Sequence, residues 1–213
     1  MKTRPPLKGI YAITAPELTP GRQLFAAAEL ALRGGVALLQ YRDKTASPQE
    51  RLERAAELQK LCICHGVPLI INDDVMLAKK IGAAGVHLGG ADATLAEART
   101  TLGSDSIIGV SCYNRLELAG QAAAVGANYI AFGSVYYSPT KPHAVHAPRE
   151  LFKQAKRELD IAVCAIGGIN VDNAAPLLEL GVDLLAVISG IFAQNDIESA
   201  ARRLVECVHL HNP

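Results

Sequence analysis

The sequence predicts an α/β fold, a single-domain (β/α)8 TIM barrel spanning residues 1–213. Three observations carry that expectation. One arrangement recurs along the chain: a helical stretch, a glycine, a few apolar residues, then polar or small ones. Eight such apolar runs alternate with eight helical patterns, and no low-complexity linker interrupts them. A chain of 213 residues, half of them hydrophobic, can bury one large core but leaves little room for another domain.

Taken in order, strands are expected at residues 9–14, 36–40, 67–72, 85–89, 106–111, 127–133, 161–166 and 182–189. Gly35, Gly66, Gly126 and Gly181 each precede such a run, where a glycine suits the left-handed residue that closes a helix. The runs are almost continuously apolar, as strands buried on both faces should be. Helices are expected at 21–33, 48–64, 75–81, 95–102, 115–125, 148–159, 171–180 and 197–208. Ser47-Pro48, Asn114 and Asn170 stand where N-caps belong. An open dinucleotide-binding sheet would need G-x-G-x-x-G after the first strand, and Thr14-Ala15-Pro16-Glu17 is nothing like it.

Composition excludes several function classes. Lys plus Arg equals Asp plus Glu at 21 each, so no overall positive field draws in nucleic acid or an anionic membrane. Any anion site must be local. No apolar run is long enough to span a bilayer and no signal core follows Met1, so a cytoplasmic location is expected. The five cysteines suggest neither a disulfide framework nor a zinc site. Small-molecule substrates are the expected partners, and the oligomeric state is left open, a homo-oligomer being compatible.

In such barrels the chemistry sits at the C-terminal ends of the strands. After strand two, Gln40, Arg42 and Lys44 would share one face, placing two cations and an amide toward a cavity suited to phosphate. Ile166-Gly167-Gly168-Ile169 and Ile188-Ser189-Gly190-Ile191 match a metal-free phosphate seat built from backbone N–H groups. Asp73 and Asp92, in the loops after strands three and four, can hold Mg²⁺ through oxygen ligands. Asp74 reads as a helix cap, His87 as a wall of the site, and His143 and His146 as exposed. Lys141 lies in a Pro-rich stretch, residues 136–148, long enough to act as a flap.

These residues resemble the thiamine-phosphate synthase (thiamine-phosphate pyrophosphorylase) family nearly end to end. The likeness rests on Gln40-Tyr41-Arg42-Asp43-Lys44, Asn72-Asp73-Asp74, Gly85-Val86-His87-Leu88-Gly89 with Asp92, Gly109-Val110-Ser111, Thr140-Lys141-Pro142 and Ala165-Ile166-Gly167-Gly168-Ile169. It implies a transferase that joins hydroxymethylpyrimidine diphosphate to a thiazole phosphate by a dissociative route. Pyrophosphate is released with the help of Mg²⁺ on Asp73 and Asp92. By the same resemblance, Gln40, Tyr41, Arg42, Asp43, Lys44, Asn72, Ser111 and Lys141 would meet the pyrimidine diphosphate, with Arg42, Lys44, Ser111 and Lys141 catalytic. Ser138, Pro139, Thr140, Gly168, Ile188 and Ser189 would meet the thiazole phosphate. Gly90, Ala15, Gly190 and Tyr137-Ser138 depart from the common pattern. The competing readings are a thiazole tautomerase of the same branch, a phosphosugar isomerase or epimerase, and a non-catalytic binder of thiazole phosphate.

Overall fold

Alternation along each strand decides what the barrel contains. The computed structural model describes residues 7–90, 94–137 and 145–211. Its strands are β1 (Gly9–Ile13), β2 (Leu38–Tyr41), β3 (Leu69–Asn72), β4 (Gly85–Leu88), β5 (Ile107–Tyr113), β6 (Tyr129–Gly133), β7 (Ala162–Ile166) and β8 (Leu184–Val187). They are parallel and close in sequence order, β8 pairing with β1 through Tyr11 and Ala186. Every second residue points inward, so Tyr11, Leu38, Ile70, Ile107, Tyr129, Cys164 and Leu184 fill the interior as one apolar cluster. The intervening residues, such as Ile10, Leu39, Tyr41, Ile71 and Ala165, form a second and larger cluster with the helices outside.

The helices are α1 (Gln23–Arg33), α2 (Pro48–His65), α3 (Val75–Ile81), α4 (Leu95–Leu102), α5 (Leu116–Ala124), α6 (Arg149–Glu158), α7 (Ala175–Leu178), α8 (Ser189–Phe192) and α9 (Ile197–His211). Helix α2 begins with a complete capping box. The Ser47 hydroxyl accepts from Glu50 N while the Glu50 carboxylate accepts from Ser47 N, with Pro48 in the first turn. Asp74 caps α3 by accepting from Leu77 N at 2.8 Å, as expected for it.

The other two expected caps do something else. Asn114 donates from its amide to the carbonyl of His146, and α5 starts at Leu116 without a side-chain cap. Asn170 accepts from Asp172 N, while Asn173 accepts from Asn170 N and donates to the Gly168 carbonyl. Local side-chain bonds of this kind compete with helix formation. Residues 171–174 therefore turn rather than coil, and α7 is shorter than the expected 171–180.

One glycine in this frame is a matter of space rather than backbone freedom. Gly109 pairs with Tyr129 on β6 and with His87 on β4, and a Cβ there would lie 1.9 Å from Tyr129 Cζ. The tyrosine ring occupies the volume that a side chain at Gly109 would need. Gly109→Ala is therefore expected to destabilise the protein by about 2 kcal/mol through overpacking. Gly120→Ala, in α5 with nothing within 4 Å of the added methyl, should stabilise it by roughly 0.5–1 kcal/mol. Urea unfolding of the two variants checks both signs.

Candidate active site

All eight strands contribute to one cavity of about 370 Å³ at their C-terminal ends. Gln40 and Arg42 from the β2 end, Asn72 from β3, His87 from β4 and Ser111 from β5 line one side. Opposite lie Ile166, Gly167 and Gly168 after β7, with Ile188 and Ser189 after β8. Ile13, Ala131, Gly133, Ser134, Val145 and Ala186 also line it, as do Tyr11, Tyr113 and Cys164, which were not expected from the sequence.

The β2 end holds its shape through its neighbour. Thr14 N donates to the Gln40 carbonyl, and the Thr14 hydroxyl both accepts from Arg42 N and donates to Arg42 O. Gln40 and Arg42 thus face the cavity, whereas Tyr41 and Asp43, the alternate residues, turn to the helical layer. Neither residue of this pair, both expected to meet the pyrimidine diphosphate, is among those lining the cavity. The buried Asp43 carboxylate accepts from Thr45 N, the Thr45 hydroxyl, Ala46 N and Arg54 Nη1, the last at 2.8 Å. Burial alone would raise its pKa, but those donors outweigh it and hold the group below its ordinary value. Tyr41 is pushed up to about 12, by burial first and then by the charge of Asp43. Asp43 thereby braces the loop that carries Lys44.

Lys44 also lies outside the cavity lining, at the rim, where its ammonium meets the Asp73 carboxylate at 3.2 Å. Asp73 has a left-handed backbone, φ 63°, and its N–H donates to the His87 carbonyl. A non-glycine residue in that conformation is strained unless its surroundings hold it, and such positions gather at functional sites. The result is a hard oxygen donor, partly exposed at the mouth, which suits Mg²⁺ that keeps waters and phosphate oxygens as its other ligands. Its expected companion Asp92 lies outside the described residues, as do Ser138, Pro139, Thr140, Lys141 and His143. His146 is exposed as expected.

On the far side the backbone comes close to itself. Gly168 has φ +63°, and a Cβ on it would meet the Tyr137 carbonyl at 2.3 Å. The chain after β6 runs alongside, Val135 N donating to Ile166 O and Tyr136 N to Gly167 O. Helix α8 opens at Ser189, which lines the cavity with Gly168, while the Ile191 and Phe192 N–H groups donate to the Ile188 carbonyl. A Cβ on Gly190 would lie 2.4 Å from Ile169 O, so the position has no room for a methyl. Gly90 N donates to the hydroxyl of Tyr113 at 3.2 Å.

His87 is hydrogen-bonded on both ring nitrogens, Nδ1 with the Tyr129 hydroxyl and Nε2 with Ser111 Oγ, each at 2.9 Å. The Nδ1 side meets a phenol rather than a carboxylate, unlike a nucleophile-activating triad. Cys164 at the cavity floor has its thiol raised by burial, and Cys112 is pushed up to about 12 by the same cause. Neither is a ready nucleophile. The cavity is thus equipped to bind and stabilise anions rather than to form a covalent bond with substrate.

The family model described as thiamine monophosphate synthase matches residues 10–191. The chain belongs to that family. It is 54% identical over 198 residues to the thiamine-phosphate synthase of Thioalkalivibrio sulfidiphilus, covering 93% of this chain and 94% of that protein. To the corresponding enzyme of Chromobacterium violaceum it is 52% identical over 200 residues, covering 94% and 96%. The solved thiamine phosphate pyrophosphorylase of Pyrococcus furiosus superimposes with a TM-score of 0.87 at 34% identity, covering 97% of this chain and 98% of that one. As a thiamine monophosphate synthase family member this is a transferase of the EC 2.5.1.3 type acting on small molecules. Among the described residues no helix is long and apolar enough to cross a membrane.

The Asp43–Arg54 pair gives a test of how the rim is held. Arg54→Ala leaves the buried Asp43 carboxylate with only the neutral donors of Thr45 and Ala46 and should cost ~3 kcal/mol of unfolding free energy at neutral pH. Because the folded pKa of Asp43 is depressed, its contribution is complete above the unfolded value near 3.8 and fades as pH falls through the lower folded value. The gap between wild type and variant should therefore narrow below pH 3.8 in an acid series of urea melts.

Proposed function

We propose that this protein joins hydroxymethylpyrimidine diphosphate to a thiazole phosphate, forming thiamine phosphate and releasing pyrophosphate with the aid of Mg²⁺. One observation carries the reading. A single cavity has Gln40, Arg42, Asn72 and Ser111 on one wall and the Gly167-Gly168 and Ile188-Ser189 backbone on the other. That is room for two differently anchored anions. The first wall offers charged and amide donors for a diphosphate, and the second a glycine-rich seat for a lone phosphate.

The pyrimidine's aminopyrimidine ring can spread positive charge, so the methylene carbon loses pyrophosphate before the thiazole nitrogen attacks. The C–O bond to pyrophosphate breaks with its electron pair leaving on oxygen, and the nitrogen lone pair then forms the new C–N bond. No covalent enzyme intermediate is needed. Arg42 and Ser111, with Lys44 and Lys141, stabilise charge developing on the departing oxygens. Asp73 and Asp92 would hold Mg²⁺, which supplies further neutralisation of that charge. The phosphate seat fixes the thiazole so that its nitrogen stays near the carbon, the positioning that makes the second step fast. Cytoplasmic location belongs to the same reading.

Incubating the pure protein with both substrates should yield thiamine phosphate and pyrophosphate by chromatography only when Mg²⁺ is present. Formation of neither product would refute the proposed reaction. Asp73→Asn should raise the Mg²⁺ concentration for half-maximal rate about tenfold, since it removes one charged ligand. An unchanged requirement would remove Asp73 from the ligand set.

A further inference from the structure

A row of hydrogen bonds crosses the barrel at the cavity floor and joins four of its lining residues, Gln40, Tyr11, His87 and Ser111, through Tyr129. Gln40 Nε2 donates to the Tyr11 hydroxyl at 2.5 Å. The hydroxyls of Tyr11 and Tyr129 are 2.8 Å apart, Tyr129 reaches His87 Nδ1 at 2.9 Å, and His87 Nε2 meets Ser111 Oγ at 2.9 Å. Gln40 and Ser111, the ends of the row, both face the cavity, whereas Tyr129 is wholly buried.

Each phenol has one proton to give. Tyr11, having accepted from Gln40, gives its proton to Tyr129, and Tyr129 gives its own to His87 Nδ1. The imidazole then carries hydrogen on Nε2 and donates it to Ser111 Oγ, which leaves the serine proton directed into the cavity. At the other end, spending Nε2 on Tyr11 leaves the Gln40 carbonyl oxygen as that side chain's acceptor. Burial raises the phenols of both tyrosines, so neither ionises and breaks the sequence of donors.

The packing around the row is specific to it. The Tyr129 ring lies in the space that Gly109 leaves open, stacked on His87 at 5.6 Å with 22° between planes, and its edge meets Tyr11 at 90°. A side chain at Gly109 would push the ring away from both partners.

We infer that Tyr129 is a positioning residue that sets Ser111 as a donor and Gln40 as an acceptor at the same time, through His87 and Tyr11. The inference rests on the proposed reaction for its ligand. A substrate with anionic phosphoryl oxygens at one end and an amino-bearing ring at the other meets complementary partners at Ser111 and Gln40. Reversing the row would present an acceptor to the anion and a donor to the amino group, and both contacts would fail together.

Tyr129→Phe keeps the ring and removes the link. In ¹⁵N NMR of the substrate-free protein, with the His87 signals assigned by their loss in His87→Asn, wild type is expected to show the Nε2–H tautomer. The variant should show a mixture with Nδ1–H. In steady-state kinetics kcat/KM for the pyrimidine diphosphate should fall about tenfold, the loss of one well-placed hydrogen bond, while KM for the thiazole phosphate stays unchanged. Adding Ser111→Ala to Tyr129→Phe should cost less than Ser111→Ala alone, because both act through one contact. An unchanged tautomer, or losses that multiply in full, would overturn the inference. The tautomer is read without substrate, so it decides the row even where turnover refutes the proposed reaction. Should Tyr129→Phe not fold, Tyr11→Phe breaks the same row one link earlier and carries the same expectation for the tautomer.

Discussion

A closed parallel barrel allows only every second strand residue to reach its interior, and this constraint apportions the roles of neighbours in the chain. Gln40 and Arg42 line the cavity while Tyr41 and Asp43, one position away, serve the helical layer. The interior is filled from below by Tyr11, Leu38, Ile70, Ile107, Tyr129 and Leu184, so the cavity is what remains above that layer. Its floor is packed side chain. Polar groups can be held there only if they satisfy one another, which is why the hydroxyl, imidazole and amide groups at this level form one connected row.

Charge follows the same economy of position. The chain is neutral overall, yet Arg42 faces the cavity and Lys44 stands at its rim against Asp73. Two cations away from the mouth hold the frame: Arg54 pairs with Asp43, and Lys156 with Asp183, whose carboxylate also accepts from Val163 N at the β7–β8 join. A wall of donors opposite a wall of backbone therefore arises without any long-range field, and it acts only on ligands already within the barrel mouth.

Much of this was legible in the sequence. The eight strands show because each is a short apolar run announced by a glycine or a turn, and seven of the expected helices appear close to full length. The cavity positions Gln40, Arg42, Asn72, His87, Ser111, Gly168 and Ser189 show because a polar residue or glycine at the end of a buried strand adds little to core packing and so marks an opening, whereas Ile188 was reached only through the resemblance. Asn170 was misread because a cap and an Asx turn use the same side-chain oxygen in the same place, and Asn114 because its amide instead donates to the distant His146 carbonyl, a contact that nothing local reveals. Tyr41 and Asp43 belong to the expected site through the family resemblance, whereas the period of two turns them away from the cavity. Tyr11 and Tyr129 escaped notice because within an apolar strand a tyrosine looks like core. Nothing local reveals that their hydroxyls meet inside the barrel, or that Gly109, noted only within its motif, leaves the space that the Tyr129 ring fills.

That meeting gives Gly109 and Tyr129 a shared fate. The volume missing from one residue is the volume occupied by the other, so a larger residue on β5 clashes and a smaller one on β6 leaves a void. Neither position can drift alone. Related sequences should exchange the two together, and a barrel redesigned at either must be rewritten at both, as though the pair were a single letter split between two strands.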